Sequence, residues 1–290
     1  MISVIIPARN ELHLRRTVED VIRKAAGEIE IIVVLDQWDF NKAVKPEPLL
    51  EQLDWIRGPG QEISNVRLIE YPNLTGQRVM INRAIREATG SHILKIDAHC
   101  KLSDGYDVAL LEVCEPDTFY TTAMRGITEE TWTSNDRVFA AALLTPEYRW
   151  AWWPGYDNHV GHLPTHEIMA FSGTVYFCSK ELWEGIGGHD ATFAPWGECG
   201  AELSLKVWLT GRRLMIHRGV CCAHLYRKKF PYRVTGGTRN ATIRAITKMV
   251  QEKAFADQVH DIPWLVGKFS RFGQIPGWPK GSMQCTNQAG

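Results

Sequence analysis

Within its first 96 residues the chain alternates β-branched apolar runs with stretches of helical spacing, and this constrains its fold more than any other feature. Ile2-Ser3-Val4-Ile5-Ile6 is stopped by Pro7, and Ile29-Glu30-Ile31-Ile32-Val33-Val34-Leu35 is stopped by Asp36. Between them, over 12–26, Leu14, Val18, Val21, Ile22 and Ala25 recur one helical turn apart. Short runs that are apolar throughout, without alternation, read as parallel strands buried on both faces. Strand, helix and strand in so short a stretch form a right-handed βαβ unit. Further strands are expected at Val66–Glu70 and Ile93–Ile96, separated by a helix over 76–89 that Gly90 ends. The fold class that follows is α/β, with a mostly parallel central sheet and helices on both faces.

The rest of the chain is less regular. The stretch 37–65 is rich in Pro, Gly and charge and reads as loop with some helix. In the Trp- and Pro-rich middle, 101–170, the pattern gives one strand near Thr118–Gly126 and long loops. Strands are then expected at Phe171–Cys178 and Leu214–Ile216, and helices over Ala201–Leu209 and 239–256. With no internal repeat or clean linker, residues 1–261 read as one catalytic domain. Residues 262–290 read as a Gly- and Pro-rich extension, extended or mobile.

Lys plus Arg and Asp plus Glu number 33 each, so no general field draws the chain to nucleic acid or anionic membrane. The seven cysteines form no Cys-x-x-Cys pair, which argues against a zinc site or a disulfide framework and for reduced, buried thiols. No apolar run approaches the roughly 20 residues that span a bilayer. Met1 leads directly into the first strand, so a cytoplasmic location is expected.

Ligands of open α/β sheets gather beyond the carboxyl ends of the strands, where Asp36 and Asp97 lie. Asp97-x-His99 places an oxygen and a nitrogen ligand within reach of one cation, a set suited to Mn²⁺, with Mg²⁺ the alternative. His224, past another predicted strand, offers a third ligand, and Arg227, Lys228 and Lys229 after it could neutralise phosphate oxygens. Asp36 could accept hydrogen bonds from a base or ribose, or could simply form a turn. Glu198 and Glu202 flank a helix start, where a carboxylate could meet a sugar or acceptor hydroxyl or only favour the helix dipole.

These segments resemble the polypeptide N-acetylgalactosaminyltransferases and, more broadly, GT-A glycosyltransferases of the family 2 type. Ser3-Val4-Ile5-Ile6-Pro7-Ala8-Arg9-Asn10-Glu11 resembles that family's first strand, and Gly76 with Arg78 resembles its Gly-x-x-Arg helix. Ile96-Asp97-Ala98-His99-Cys100 is similar to its Leu-Asp-Ala-His-Cys metal motif. Trp196-Gly197 with Glu202-Leu203-Ser204 is similar to its Trp-Gly-Gly-Glu-Asn segment, and His224-Leu225-Tyr226-Arg227-Lys228 with Pro231-Tyr232 to its Gly-His-x-Phe-Arg-Lys…Pro-Tyr segment.

The resemblance implies a GT-A fold and Mn²⁺-dependent transfer of a hexose or N-acetylhexosamine from a UDP-sugar to a hydroxyl, with retention. It implies Asp97, His99 and His224 as metal ligands, and Asp97, His99, Glu202 and Arg227 as the catalytic set. Donor binding would fall to Pro7, Arg9, Glu11, Asp36 and Arg78, joined by Asp97, Trp196, Arg227 and Tyr232. The family's Glu-Asn pair falls on Cys199-Gly200 and its Gly-Gly on Ser172-Gly173, which leaves the donor sugar open. The acceptor hydroxyl could belong to a protein, a glycan or a modified DNA base. For it the Trp150–Pro154 run, Tyr148 and Tyr156 offer an aromatic platform. A phage-type DNA glycosyltransferase would use Lys228, Lys229, Arg233, Arg239 and Arg244 as its basic track. A non-catalytic nucleotide-sugar sensor is the reading from a different class.

Overall fold

The computed structural model describes residues 1–37, 46–63, 65–227, 236–255 and 257–279. The parallel half of the sheet forms from the strands the pattern picks out. β1 (Ile2–Ala8) pairs in parallel with β2 (Ile29–Asp36) across α1 (Leu14–Lys24). Helices α2 (Pro46–Arg57) and α3 (Pro59–Glu62) lead to β3 (Val66–Tyr71), parallel to β2. Helix α4 (Gln77–Glu87) returns the chain to β4 (His92–Ile96), parallel to β1 on its other side. Every residue of β2 is buried, as a strand covered on both faces requires.

After β4 come β5 (Cys100–Leu102), α5 (Tyr106–Glu112) and the long β6 (Thr118–Thr128), which turns through β7 (Thr133–Ser134). A hairpin of β8 (Ala142–Leu144) and β9 (Trp150–Trp152) follows, then α6 (Pro154–Val160) and β10 (Thr165–Glu167). The last elements are β11 (Val175–Ser179), α7 (Lys180–Gly185), α8 (Cys199–Leu209), β12 (Arg213–His224), α9 (Gly236–Gln251) and α10 (Ile262–Ser270).

The main path of the sheet runs β10-β12-β6-β11-β4-β1-β2-β3, with β5 paired to β12 and β7 to β6. β11 lies antiparallel to both β4 and β6, and β12 is parallel to β6. The expected parallel sheet therefore carries one reversed strand in its middle. This arrangement decides where the site lies. Two reversals cancel, so β6 and β12 point the same way as β1, β2 and β4, and their carboxyl ends share one edge. Apolar layers fill both faces: Met80, Ile81 and Trp208 on one, Val18, Val21 and Leu110 on the other.

Residues 262–270 depart from the extended or mobile chain expected. Asp261 caps α10 by accepting from Trp264 N at 2.8 Å, and Leu265, Val266 and Phe269 are buried in the core. Pro263 sits in the first turn, where a missing N–H breaks no helical bond. Among the described residues no helix is long and apolar enough to cross a membrane. The six described cysteines are free thiols.

A candidate metal and donor site at the carboxyl edge of the sheet

Asp97 is the first residue past β4, and β5 then folds back antiparallel to β12, pairing Cys100 with His224. That register sets His99 beside His224, with ring centroids 4.7 Å apart and Leu225 N donating to His99 O at 3.1 Å. His224 Nε2 lies 3.4 Å from Asp97 Oδ2. One ligand atom from each of Asp97, His99 and His224 falls within 4.8 Å of the others. The three residues expected as metal ligands, drawn from segments more than 120 positions apart, therefore converge.

The donor set fits a divalent cation. It offers one carboxylate oxygen and two imidazole nitrogens, the mixture that suits Mn²⁺. His224 turns Nε2 toward Asp97, while its Nδ1 is buried with no hydrogen-bond partner among the described residues. Imidazole must be neutral to bind a metal. Burial, above all, pushes His224 down to about 4, which keeps it neutral near pH 7. Burial alone would raise the Asp97 carboxyl, but Lys95 and the two histidines outweigh it and hold the group well below the usual carboxylate range.

Lys95 was not expected. It is only 2% exposed, and its Nζ donates to Asp97 Oδ1 at 2.5 Å and to Gly173 O at 2.9 Å. The signal was present in the sequence, as the single charge inside the apolar run Ile93–Ile96. Through this ammonium the metal-side aspartate is fixed to the loop before β11. That loop in turn lies against the start of α8. A side chain at Gly200 would place its Cβ 2.1 Å from Phe171 O, so only glycine permits the approach.

Other expected site residues take different roles. Glu11 was expected to bind the donor, yet both its oxygens are spent. Oε2 accepts from His99 Nδ1 at 2.9 Å and Arg227 Nη1 at 2.8 Å, while Oε1 accepts from His13 N at 3.0 Å and from Arg227 Nη2. His99 and Arg227 overcome burial and hold the Glu11 carboxyl down at about 2. Arg227 accordingly lies at the site, three residues past His224, with its guanidinium on Glu11. Pro7 and Arg9 lie at the end of β1, and Asp36 at the end of β2 feels the charge of Arg9. Asp36 also serves as a turn former, accepting from Thr75 N at 2.7 Å and Gly76 N at 3.2 Å. Burial raises its carboxyl despite these bonds.

Arg78 and Glu202 require correction. Arg78 is 1% exposed and Glu202 0%, and Arg78 Nε donates to Glu202 Oε2 at 2.7 Å. The same guanidinium donates to Ala194 O and Gly197 O, both at 2.7 Å. Glu202 also accepts from Asp190 N at 2.6 Å and faces His189 and Lys206. Neither side chain has surface with which to touch a donor or acceptor. Together they brace the 189–197 segment, including half-buried Trp196, whose carbonyl accepts from Thr242 Oγ1. Glu198 is likewise committed, to Arg239 and to Trp150 N at 3.2 Å. That removes Arg239 from the basic track considered for DNA; Arg244 is exposed. Lys228, Lys229, Arg233 and Tyr232 lie outside the described residues.

The aromatic platform divides in two. Trp153 and Tyr156 are stacked inside the core, and Tyr148 packs against it. Trp150 and Trp152 are half-buried and continue a row that starts at the metal set. His224 meets Tyr226 at 4.6 Å, Tyr226 meets Phe139 at 6.2 Å, and Phe139 stacks on Trp152 at 5.0 Å between ring centroids. Tyr226 is 44% exposed, and Arg137 lies 4.6 Å over the Phe139 ring.

This sheet order, with its ligand set where the parallel strands end, defines a GT-A-type fold. A crystal structure of GalNAc-T7 with UDP, GalNAc and Mn2+ matches with a TM-score of 0.68 over 96% of this chain and 52% of that one, at 17% identity. A crystal structure of S. aureus TarS 1-349 in complex with UDP-GlcNAc matches with a TM-score of 0.58 over 93% of this chain and 71% of that one, at 13% identity. The chain belongs to glycosyl transferase family 2, whose model matches residues 3–173. It is 25% identical over 80% of its length to polypeptide N-acetylgalactosaminyltransferase 5 of Caenorhabditis elegans, covering 38% of that protein. It is 27% identical over 81% of its length to human polypeptide N-acetylgalactosaminyltransferase 13, covering 43% of it. The chain thus spans about two-fifths of the length of these relatives.

Proposed function

We propose that the chain transfers a hexose or N-acetylhexosamine from a UDP-sugar to an acceptor hydroxyl, with a divalent cation, Mn²⁺ or Mg²⁺, held by Asp97, His99 and His224. The observation that carries this reading is the convergence of those three side chains at one sheet edge. When bound, the cation supplies positive charge to the donor's diphosphate. Lys95 holds the Asp97 carboxylate anionic and in place. Arg227, its guanidinium held on Glu11 beside the same set, adds positive charge near the position of a phosphate. The open ends of β1 and β2, with Pro7, Arg9 and Asp36, would take the nucleoside.

The carboxylates of this region are committed. Glu11 is bound by His99 and Arg227, Glu198 by Arg239, Glu202 by Arg78, and Asp36 by two backbone N–H groups. None of these four is poised as a nucleophile or as a general base. That favours a front-face reaction with retention, in which the leaving phosphate accepts the acceptor's proton and fixed charges stabilise the separating ions. The acceptor would approach along the row from Tyr226 to Trp152, whose flat faces suit a sugar or peptide. The commitment of Arg239 to Glu198 weighs against the DNA base.

The test is a panel of UDP-sugars with Mn²⁺, read as release of UDP. One sugar should be hydrolysed slowly without acceptor, and His99→Ala should abolish this. Turnover that survives in His99→Ala with all metal chelated would overturn the mechanism. Donor binding without any turnover would favour the sensor.

A further inference from the structure

Among the described residues, Glu11 is the one carboxylate that grips both a metal-side histidine and the arginine beside it. It is 3% exposed, and it joins the end of β1 to the two segments, 97–100 and 224–227, that carry the site. A carboxylate with a guanidinium across both its oxygens is the accepting partner, so His99 Nδ1 carries the hydrogen in the 2.9 Å contact. The lone pair is then on Nε2, the ring nitrogen left to act as a ligand. Asn10 precedes Glu11 at φ 46°, a left-handed turn that Asn accepts more readily than most residues, and it turns the chain where this side chain enters.

The geometry points to Glu11 as a positioning residue for the cation: it sets the tautomer and orientation of His99 and parks Arg227 beside the metal set. This role rests on the proposed metal-dependent transfer and adds a residue to it. A carboxylate behind a ligating histidine typically changes metal affinity by about 10- to 100-fold when removed.

The experiment measures the Kd of Mn²⁺ alone for the full chain, by electron paramagnetic resonance of the free ion, without nucleotide or turnover. Glu11→Ala should weaken binding by about 100-fold. Glu11→Gln, whose amide oxygen still accepts from His99 Nδ1, should weaken it by about 10-fold. Glu30→Gln removes another buried carboxylate, held by Ser3 and Thr89, and should leave the Kd unchanged. If wild type binds Mn²⁺ and Glu11→Gln and Glu11→Ala bind it equally well, the positioning role is overturned and the metal reading stands. If Glu30→Gln weakens binding as much as Glu11→Gln, the effect is general destabilisation and the role is likewise overturned. If wild type binds no Mn²⁺, the metal reading fails and takes this role with it. Should Glu11→Ala fail to fold, Glu11→Gln against Glu30→Gln decides alone.

Discussion

Replacing Glu202 separates a structural carboxylate from a catalytic one. Its side chain has no exposed surface and answers Arg78 Nε at 2.7 Å, Asp190 N at 2.6 Å, His189 Nδ1 at 3.3 Å and Lys206 Nζ at 3.4 Å. Burial would raise its carboxyl, but His189, Arg78 and Lys206 overcome this and hold it anionic. Glu202→Gln leaves the Arg78 guanidinium buried without its counter-charge, and breaking such a pair costs about 3–5 kcal/mol. With a urea m-value of about 3 kcal/mol/M, the unfolding midpoint should fall by about 1–1.7 M. Arg78→Met with Glu202→Leu should cost at least about 2 kcal/mol less than the two single changes added together. At 10 °C, where the variant stays folded, turnover should fall by less than about tenfold, against the roughly 10²–10⁴ expected for losing a positioned acid or base. A wild-type urea midpoint together with turnover lost by about 10²-fold or more would refute the structural reading.

Other outcomes follow from the same geometry. Burial lowers His189 to about 4, below its unfolded value near 6.5, so the folded state resists its protonation. Stability should be full above pH 6.5 and decline by of order 3 kcal/mol toward pH 4, a slope that His189→Gln should flatten in urea titrations. Gly200→Ala forces a methyl group onto Phe171 O and should lower stability by about 1–3 kcal/mol or more, read by thermal unfolding. Trp153→Ala, in the core, should cost about 3–5 kcal/mol. Trp152→Leu should instead raise the acceptor KM while acceptor-free UDP release stays unchanged.

Much of the fold was legible because β1, β2 and β4 are short and largely apolar, and α1 and α4 keep one buried stripe each. α10 was hidden by composition: Pro263 reads as a breaker, yet in a first turn it costs nothing. α7 is a single short segment whose start, Ser179 accepting from Leu182 N at 3.0 Å, is too brief for periodicity to register. The metal set was legible because Asp97 and His99 are close in sequence and His224 ends a strand. What Arg78 and Glu202 do was not legible. They stand 124 positions apart, and burial, which turns a plausible catalytic pair into an internal brace, is a property of packing. Glu11 fell between these cases: its place at the end of β1 marked it for the site, but only its contacts show that it faces His99 and Arg227.

The most direct test is anomalous scattering at the manganese edge from crystals grown with UDP and Mn²⁺. The account predicts one peak within bonding distance of an Asp97 carboxylate oxygen and an imidazole nitrogen from each of His99 and His224, with the diphosphate on its open side. A manganese peak elsewhere beside bound UDP, or UDP bound with no manganese at those three residues, would contradict it.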